Sequence, residues 1–397
     1  MRAKLDFDLA TPEAPPQASV DAAVKLLKSG FLFRYAEMGS EGNEAALLEQ
    51  EFAALLGRKY CVAVNSGGSA MFLALKAAGV QPGDKVLLNA FTLAPVPGAI
   101  EHLHAETVLV EINARLVIDP SDLRAKAEAS GAKYLLMSHM RGHVADMEAV
   151  QEICDELGIK MIEDCAHTMG ATWNGVQTGK FGLAGAFSSQ SYKQFNTGEG
   201  GLIVTDDADL AARAILMSGS YMLYPQHSAA PSEAVFARWK GSMANHSMRM
   251  SALVAAILRP QLPLLPARNA RWREVHDRIA KRLRTHQLIR LPQRPNEEDY
   301  TPTSLQFFME GLSQPQIEAV IADSTAHGVP IKFFGGDTPE GFTSRAPHWE
   351  YVKPQPLPRS EAILSQLCDI RLPLGLSDSQ ADTLANVLLE SLNEALP

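Results

Sequence analysis

Cysteine is scarce in this sequence, and its spacing excludes two common kinds of site. The chain has 397 residues and 4 cysteines, no two of which form a Cys-x-x-Cys pair. A disulfide framework would be denser, and zinc ligands would be clustered. For Cys61 and Cys154, which fall in apolar patterns, a buried free thiol is expected. His139, His143 and His246 could be mistaken for metal ligands, but histidines of this kind are more often hydrogen-bonded in the core or exposed, so no metal site is expected.

A surplus of basic residues and a long apolar run are also missing. Lysine and arginine total 36 against 45 aspartates and glutamates, which gives a net charge of -9 at pH 7. Such a chain has no positive field to gather nucleic acid or anionic lipid. The N-terminal segment lacks the apolar region of a signal peptide, and no run of about 18 apolar residues occurs. We therefore expect a cytoplasmic protein without nucleic-acid or membrane partners.

Short apolar segments alternate with amphipathic helical ones over the first two thirds of the chain. The strand-like segments are residues 59–66, 84–90, 106–112, 133–140, 159–164, 185–190 and 201–206. Helical segments such as 146–158 have apolar residues at the 3.6-residue period. This alternation predicts an α/β fold with a mainly parallel sheet covered on both faces. Ligands of such sheets bind at the carboxyl ends of the strands.

Three regions are expected along the chain. Residues 1–20 are rich in proline and alanine and are interpreted as an N-terminal arm. Residues 21–262 are predicted to form a large domain that contains the parallel sheet. Prolines and then a basic helical stretch follow this domain. Residues 263–397 hold weaker strands and several helices, which predicts a smaller C-terminal α+β domain.

A carboxylate and a lysine stand where polar chemistry is expected. Asp164 ends an apolar strand segment, where a helix N-cap is the ordinary explanation and a carboxylate facing the ligand edge is the functional one. Lys193 lies in an otherwise uncharged stretch from Phe181 to Thr197, just before a glycine cluster. Most lysines are surface residues, but a partly desolvated lysine has a lowered pKa and becomes an amine nucleophile.

A glycine–serine turn is the third element. Residues 65–70, NSGGSA, come directly after a strand segment and before a helix. Amides at a helix N-terminus bind anions where glycines remove side-chain bulk, although a turn capped by Ser66 or Ser69 explains the same residues. A phosphate cradle, an aspartate and a lysine together match what pyridoxal 5'-phosphate (PLP) requires. The lysine holds the aldehyde as a Schiff base, and the carboxylate keeps the pyridine nitrogen protonated.

The sequence resembles the DegT/StrS-type sugar aminotransferases, which have PLP fold type I. The resemblance covers about residues 20–390 and rests on the ordered segments LEQEFAALLGRKYCVAVNSGGSA, SHMRGHVADM, IEDCAHTMGA, FSSQSYKQFNTGEGG, SMRMSALVAAIL and RLPLGLSDSQAD. It implies a homodimeric enzyme whose active sites are completed by the neighbouring chain. It also implies amino transfer from glutamate or glutamine to a ketone on a sugar, nucleotide-linked sugar or cyclitol, in a biosynthetic pathway.

The resemblance implies a role for each matching residue. Lys193 matches the Schiff-base lysine, which also moves the proton during catalysis. Asp164 matches the partner of the pyridine nitrogen, and His167 matches the residue beside the ring hydroxyl. The implied phosphate ligands are Gly68, Ser69 and Ser188.

Two residues are predicted to contact the substrate. Gln190 shares a strand face with Ser188, because alternate residues of a strand point the same way. Tyr35 belongs to a segment, residues 33–35, that resembles a loop shaping the acceptor site in the family. No residue in the sequence fixes which ketone is the acceptor.

The sequence departs from the family pattern at two positions. The family usually stacks an aromatic ring on PLP, whereas the segment FTLAPVP places Leu93 there and Phe91 two residues earlier. Either Leu93 covers the ring or Phe91 takes that role, and stacking is worth only ~0.5–1.5 kcal/mol beyond burial. Ser247 replaces an asparagine that reaches the partner's phosphate, so that contact is lost, made through water or made by Asn245.

Other functions remain open. Dehydration or elimination on the same fold is the first, but a histidine replaces the lysine in the family's sugar 3-dehydratases, so Lys193 favours transamination. A PLP-fold regulator is the second, and it is disfavoured because the identifiable catalytic positions are filled. A Rossmann dehydrogenase is weaker still, since no GxGxxG motif follows a strand segment.

Overall fold

The computed structural model describes residues 2–36, 42–339 and 345–394. The helices are α1 (Gln17–Ser29), α2 (Glu44–Leu56), α3 (Gly67–Ala78), α4 (Pro95–Glu101), α5 (Pro120–Ser130), α6 (Met147–Leu157), α7 (Ala208–Ser218), α8 (Glu233–Trp239), α9 (Ala252–Leu258), α10 (Leu265–Leu283), α11 (Gln314–Ala326), α12 (Pro358–Leu364) and α13 (Asp378–Glu394). The strands are β1 (Tyr60–Val64), β2 (Lys85–Asn89), β3 (Glu106–Val110), β4 (Tyr134–Ser138), β5 (Lys160–Asp164), β6 (Thr172–Trp173), β7 (Val176–Gln177), β8 (Ala184–Ser188), β9 (Gly201–Thr205), β10 (Ile289–Arg290), β11 (Glu298–Asp299), β12 (Ser304–Met309), β13 (Lys332–Phe333) and β14 (Leu367–Arg371). Within the described ranges, no helix is both long and apolar enough to cross a lipid bilayer.

The central sheet contains seven strands in the order β1-β9-β8-β5-β4-β2-β3. The pairs from β8 through β5, β4 and β2 to β3 are parallel, whereas β9 is antiparallel to both β1 and β8. Parallel neighbours need long crossover connections, which the intervening helices provide. The predicted mainly parallel α/β fold is confirmed. The antiparallel course of β9 was not predicted, because an apolar segment carries no sign of its direction.

Helices cover both faces of this sheet because its strands are apolar on both sides. In β2, Val86 and Leu88 pack on one face with residues of α3, α4 and α7, whereas Leu87 packs on the other face with residues of α5 and α6. Successive side chains of a strand point to opposite faces, so one continuous apolar segment fills two cores. Each such buried side chain contributes about 1.5–3 kcal/mol. With both faces covered, the ends of the strands are left for ligand binding.

A second sheet lies in the C-terminal region, with four strands in the order β10-β12-β14-β13. All of its strand pairs are antiparallel, and α10, α11 and α13 contribute to one apolar cluster with it. This is the predicted smaller α+β region. Leu5 and Leu9 are buried in the same cluster, so the N-terminal segment packs on the C-terminal region. The domain boundaries at residues 20 and 262 stay a prediction.

Candidate active site

A cavity of about 620 Å³ lies at the carboxyl edge of the central sheet. Its wall includes residues at or just beyond the ends of β1, β4, β5 and β8, namely Ser66, Ser138, Asp164 and Ser188. Asp369 and Arg371 of β14 also line it, so the cavity lies where the central sheet meets the C-terminal sheet. This is the place where parallel α/β sheets bind ligands.

The N-terminus of α3 forms a cradle for an anion. Ser66 caps the helix, and its side chain accepts a hydrogen bond from the Ser69 N–H at 3.0 Å. The N–H groups of Gly67 and Gly68, at the first two helical positions, have no intrahelical acceptor. A Cβ on Gly67 would lie 2.9 Å from Ser188 Cβ, so glycine lets α3 approach the end of β8. Gly67, Gly68 and Ser188 line the cavity, whereas Ser69 lies behind them in the cap.

Asp164 is held rigidly at the cavity wall. Its Oδ2 accepts a hydrogen bond from Ser138 Oγ at 2.7 Å, and Thr92 Oγ1 donates to Ser138 Oγ at 2.8 Å. Its Oδ1 accepts from the Ala166 N–H at 3.1 Å. Asp164 is only 4% exposed. The carboxylate therefore caps the turn after β5 and faces the cavity, so the structural and the functional explanations of this residue both apply.

Lys193 and His167 form a close pair at the cavity wall. Lys193 Nζ lies 2.9 Å from His167 Nε2. Burial lowers the pKa of Lys193 to about 7, and Arg141 and Arg371 lower it as well, while the charge of Asp164 acts in the opposite direction. Burial, followed by the charge of Lys193, brings the pKa of His167 well below its usual value. The imidazole is therefore neutral near pH 7, and its Nε2 accepts the hydrogen bond from the amine.

The residues around the cavity fit PLP. With Nε2 of His167 as an acceptor, the ring proton is on Nδ1, a buried atom with no partner in the described part of the chain. A buried donor without an acceptor costs about 1–3 kcal/mol, and the ring oxygen of PLP is an acceptor of the required kind. The cradle of α3 suits its phosphate, Asp164 suits its pyridine nitrogen and Lys193 suits its aldehyde.

Leu93 and Phe91 were the two residues expected to cover the cofactor ring, and the structure places only one of them at the cavity. Leu93 lines the cavity. Phe91 is fully buried, and its ring packs edge-on against Phe334 with the centroids 5.1 Å apart. Phe91 is therefore a core residue, and the suggestion that it replaces the stacking aromatic ring is wrong for this arrangement. Gln190, predicted to contact substrate, also lines the cavity.

Two of the predicted site residues lie outside this cavity. The Tyr35 hydroxyl hydrogen-bonds His227 Nε2 at 2.9 Å in a buried cluster. Ser247 is exposed, and its N–H and hydroxyl both donate to Asn245 Oδ1. An exposed Ser247 is compatible with a contact to a second chain, but it makes no contribution to the site of its own chain.

Among the cavity residues that were not predicted from the sequence are Arg141, Asp369, Arg371 and Tyr192. Arg141 has a φ of 57°, in the left-handed region that side chains rarely adopt, and its Nη2 pairs with Asp369 Oδ2 at 3.1 Å. The guanidinium carbon of Arg371 lies 3.7 Å from the ring centroid of Tyr192. Arg141 and Arg371 stand in the segments SHMRGHVADM and RLPLGLSDSQAD. A charge within segments that resemble a family's motifs was the available signal.

His139, Glu163 and Cys165 bring three potential metal-ligand atoms within 4.8 Å of one another. The Glu163 carboxylate accepts hydrogen bonds from the N–H groups of Gly179, Phe181 and Gly182, and His139 Nε2 lies 3.2 Å from it. These contacts occupy the carboxylate oxygens. Glu163 thus fastens β5 to the loop that precedes β8, which is a structural role.

Comparison with known proteins gives a consistent result. The sequence model of the DegT/DnrJ/EryC1/StrS aminotransferase family matches residues 22–389. The spore coat polysaccharide biosynthesis protein SpsC of Bacillus subtilis is 36% identical over 200 residues, which is 50% of this chain and 49% of that protein. The L-glutamine:2-deoxy-scyllo-inosose aminotransferase of Streptoalloteichus tenebrarius is 33% identical over 260 residues, or 64% and 60% of the two chains. The chain thus spans about half and three fifths of these relatives.

A solved structure shows the same fold. The crystal structure of 3-amino-5-hydroxybenzoic acid synthase matches 98% of this chain and 100% of its own, with a TM-score of 0.84 and 24% sequence identity. At that identity the likeness concerns the fold, which is PLP fold type I.

Proposed function

The chain belongs to the DegT/DnrJ/EryC1/StrS aminotransferase family, and on that premise we propose that it is a PLP-dependent aminotransferase. It moves an amino group from glutamate or glutamine to a ketone on a sugar, a nucleotide-linked sugar or a cyclitol. The observation that carries the proposal is the Lys193 amine. It has a pKa of about 7 and lies at the cavity wall with Asp164 and the cradle of α3.

PLP, when bound, supplies the carbon that carries the amino group and a ring that withdraws electrons from the reacting carbon. The residues of the chain hold and orient the cofactor. The amides of Gly67 and Gly68 and the Ser188 hydroxyl, which line the cavity, would bind the phosphate. Asp164, oriented by Ser138, stabilises a positive charge on the ring nitrogen.

Lys193 acts as nucleophile and as proton carrier. An amine with a pKa of about 7 is half neutral near pH 7, so it bonds readily to a carbonyl carbon and also accepts or donates a proton at Nζ. The neutral His167 ring holds Nζ by the hydrogen bond at 2.9 Å without competing for the proton. The lysine also favours amino transfer over dehydration, because the family resemblance implies a histidine at this position in the sugar 3-dehydratases.

The acceptor class is inferred from relatives. The relative from Streptoalloteichus tenebrarius is named for glutamine as donor and for a keto-cyclitol as acceptor. Gln190 and Thr303 line the cavity and offer hydrogen-bonding groups to the hydroxyls of such a ring.

Two copies of the chain are proposed to form the working enzyme. Val20, Val24 and Leu27 are 43%, 42% and 54% exposed and recur along one face of α1. Contiguous exposed apolar side chains mark protein interfaces. We assign this face to a homodimer, in which the exposed Ser247 is proposed to contribute to the neighbouring site. A cytoplasmic location is part of the proposal, supported by four buried free thiols of the kind that reducing compartments keep.

The test is a turnover assay with the purified protein. With PLP, glutamine or glutamate, and a panel of keto-cyclitols and keto-sugars, one 2-oxo acid should appear for each aminated product. Lys193→Ala should give no product, whereas Lys180→Ala, at an exposed lysine of the same region, should behave as the wild type. Product formed by Lys193→Ala, or consumption of a keto-sugar without 2-oxo acid, would contradict the proposal.

A further inference from the structure

Arg141 reaches the cavity from a strained turn. It lies in the turn Met140–Gly142 after β4, lines the cavity and has a φ of 57°. A residue other than glycine in this region costs about 1–3 kcal/mol and persists only where surrounding contacts fix it. Among the described residues, its guanidinium pairs with Asp369 alone, and its buried Nε has no partner. The position of Arg141 therefore depends on what holds Asp369.

Gln306 holds Asp369 across the C-terminal sheet. The two residues lie directly opposite each other on β12 and β14, and Gln306 Nε2 donates to Asp369 Oδ1 at 2.6 Å. Both residues are buried. The other carboxylate oxygen, Asp369 Oδ2, pairs with Arg141 Nη2 at 3.1 Å. A change at Gln306 therefore reaches Arg141 through the Asp369 carboxylate.

His143 fixes the orientation of the Gln306 amide. A carboxylate accepts hydrogen bonds and donates none, so the Gln306 NH₂ faces Asp369 and its Oε1 faces His143. His143 Nε2 lies 2.8 Å from that oxygen. Burial, followed by the charge of Arg294, brings the pKa of His143 well below its usual value, so the ring is neutral near pH 7. Its single ring proton is on Nε2, because Gln306 Oε1 needs a donor.

These contacts form a chain that begins and ends in one turn. From His143 the chain passes to Gln306 on β12 and then to Asp369 on β14. It returns at Arg141, two residues before His143. The turn follows a strand of the central sheet, so the contacts join that sheet to the C-terminal one. Members of a buried hydrogen-bonded network strengthen one another, and the loss of one loosens the rest.

We propose that His143 and Gln306 are positioning residues of this site. Through Asp369 they hold the Arg141 guanidinium in its place beside Lys193. Asp369 and Arg141 line the cavity, whereas His143 and Gln306 lie behind its wall. The proposal rests on the proposed function, in which Lys193 is the reacting amine, and adds two residues that act on that amine without touching it.

The charge at Lys193 provides the measurement. The charged groups that face Lys193 or this chain of contacts are Asp164, Arg141, Arg371, Asp369 and Lys332. Burial is the main cause that brings the pKa of Lys193 to about 7, and Arg141 contributes against the opposing charge of Asp164. A displaced Arg141 guanidinium would raise this pKa, and a carboxylate freed from it would act in the same direction. Lost positioning therefore slows reactions of the neutral amine near pH 7.

The first experiment measures the rate of PLP attachment to the apoprotein from pH 6 to 9. His143→Leu and Gln306→Met should each lower the rate at pH 7 about two- to fivefold and move the plateau to higher pH, because a raised pKa leaves less neutral amine. His143→Gln, whose amide can donate in place of Nε2, should restore the wild-type profile. Either of the two apolar variants decides the point if the other does not fold.

Two controls separate positioning from general destabilisation. Phe307→Leu, at the residue next to Gln306 whose side chain packs in the apolar cluster of the C-terminal region, should keep the wild-type profile. In the Arg141→Gln background, His143→Leu should cause no further change. The proposal is overturned by an equal change in Phe307→Leu, by a further change in the double variant, or by His143→Gln behaving as His143→Leu. An unchanged profile in both apolar variants overturns it as well.

A second measurement needs no cofactor. Trace acetylation of the apoprotein with acetic anhydride, followed by mass spectrometry of the peptide that contains Lys193, reports the neutral fraction of this amine at each pH. The midpoint should lie near the pKa of about 7 in the wild type and higher in His143→Leu and Gln306→Met. The exposed Lys180 is the internal reference. If PLP does not attach to the wild type, the proposed function fails. The acetylation profiles still decide the positioning, which equal midpoints in wild type and variants would overturn.

Discussion

Two buried charged clusters in this protein differ in how completely their charges are paired. In the first, near the middle of α2, Glu49 accepts hydrogen bonds from Arg34 Nη2 at 2.7 Å and from the Ala63 N–H at 2.8 Å, and His227 Nδ1 lies 2.9 Å away. Burial raises the pKa of Glu49, but Arg34 and His227 outweigh it and leave that pKa below its usual value. The surroundings of this cluster thus stabilise its charged form.

In the second cluster, at the cavity, the surroundings do not stabilise the charge. The hydrogen bond of Lys193 Nζ goes to a neutral His167 ring, and burial lowers the lysine pKa to about 7 in spite of Asp164. A buried group whose charge is poorly compensated is prepared to react or to bind a ligand. The comparison therefore assigns the Glu49 cluster to folding stability and the Lys193 cluster to chemistry.

The largest expected effect is on stability, at Glu49. Glu49→Gln removes the negative charge between Arg34 and His227, and breaking a buried ion pair costs about 3–5 kcal/mol of unfolding free energy. The matched control is Glu51→Gln, which removes the surface partner of Arg259 and should cost only about 0–1 kcal/mol. Denaturant unfolding measures both variants.

Turnover separates the two clusters further. The folded fraction of Glu49→Gln should retain the wild-type turnover number, because Glu49 does not line the cavity. Equal destabilisation by Glu49→Gln and Glu51→Gln would remove the distinction between the clusters.

At Asp164 we expect a large loss of turnover with little loss of stability, the reverse of the effect at Glu49. Asp164→Asn keeps the shape of the side chain, and the Ser138 hydroxyl can turn to accept from the new amide, so the stability loss should be about 1 kcal/mol. Turnover should fall about 10²- to 10³-fold, because the fixed negative charge at the ring nitrogen is lost. Asp155→Asn, at an exposed aspartate of α6, is the control. Turnover that survives in Asp164→Asn would show that this carboxylate is only a turn cap.

Much of the second cluster could be predicted from the sequence, and none of the first. Asp164 and Lys193 stand at the ends of strongly patterned segments, where a charge conflicts with its apolar surroundings. Glu49 and His227 are 178 residues apart and lie in segments with no such conflict. Their pairing depends on how α2 packs against the chain near residue 227, which local periodicity does not encode.

In the cavity too, features set by local sequence pattern were predicted, and features set by tertiary packing were not. The strands β1 to β5, β8 and β9 were predicted within a few residues, because apolar runs bounded by glycine or polar residues define them. Which residue of the segment NSGGSA caps the helix and which residues face the cavity was not predicted, because both serines suit a cap. Only the packed structure shows Ser66 as the cap, with Gly67 and Gly68 facing the cavity. Arg371 is likewise brought to Lys193 by the C-terminal sheet rather than by its own segment.

The smallest expected effect is a pH dependence that sharpens the contrast at Lys193. The amine must be neutral to bond to the aldehyde of PLP, and a pKa of about 7 places the change between pH 6 and 8. The rate of PLP attachment to the apoprotein should rise about tenfold over that range and level off above it. A lysine with the usual pKa of about 10.4 would gain ~100-fold with no plateau. The rate is followed by stopped-flow absorbance, with Nα-acetyl-lysine as the control for the cofactor's own titration.

A variant of Arg141 tests what lowers the pKa of Lys193. Arg141 lowers the pKa of Lys193, so Arg141→Gln removes a positive charge and should move the rise in attachment rate to higher pH. The Asp369 carboxylate, freed from its pair with Arg141, would act in the same direction. A plateau that stays in place in Arg141→Gln would show that burial alone sets the lysine's pKa. A rate that climbs without levelling in the wild type would show that the Lys193 charge is as well compensated as that of Glu49.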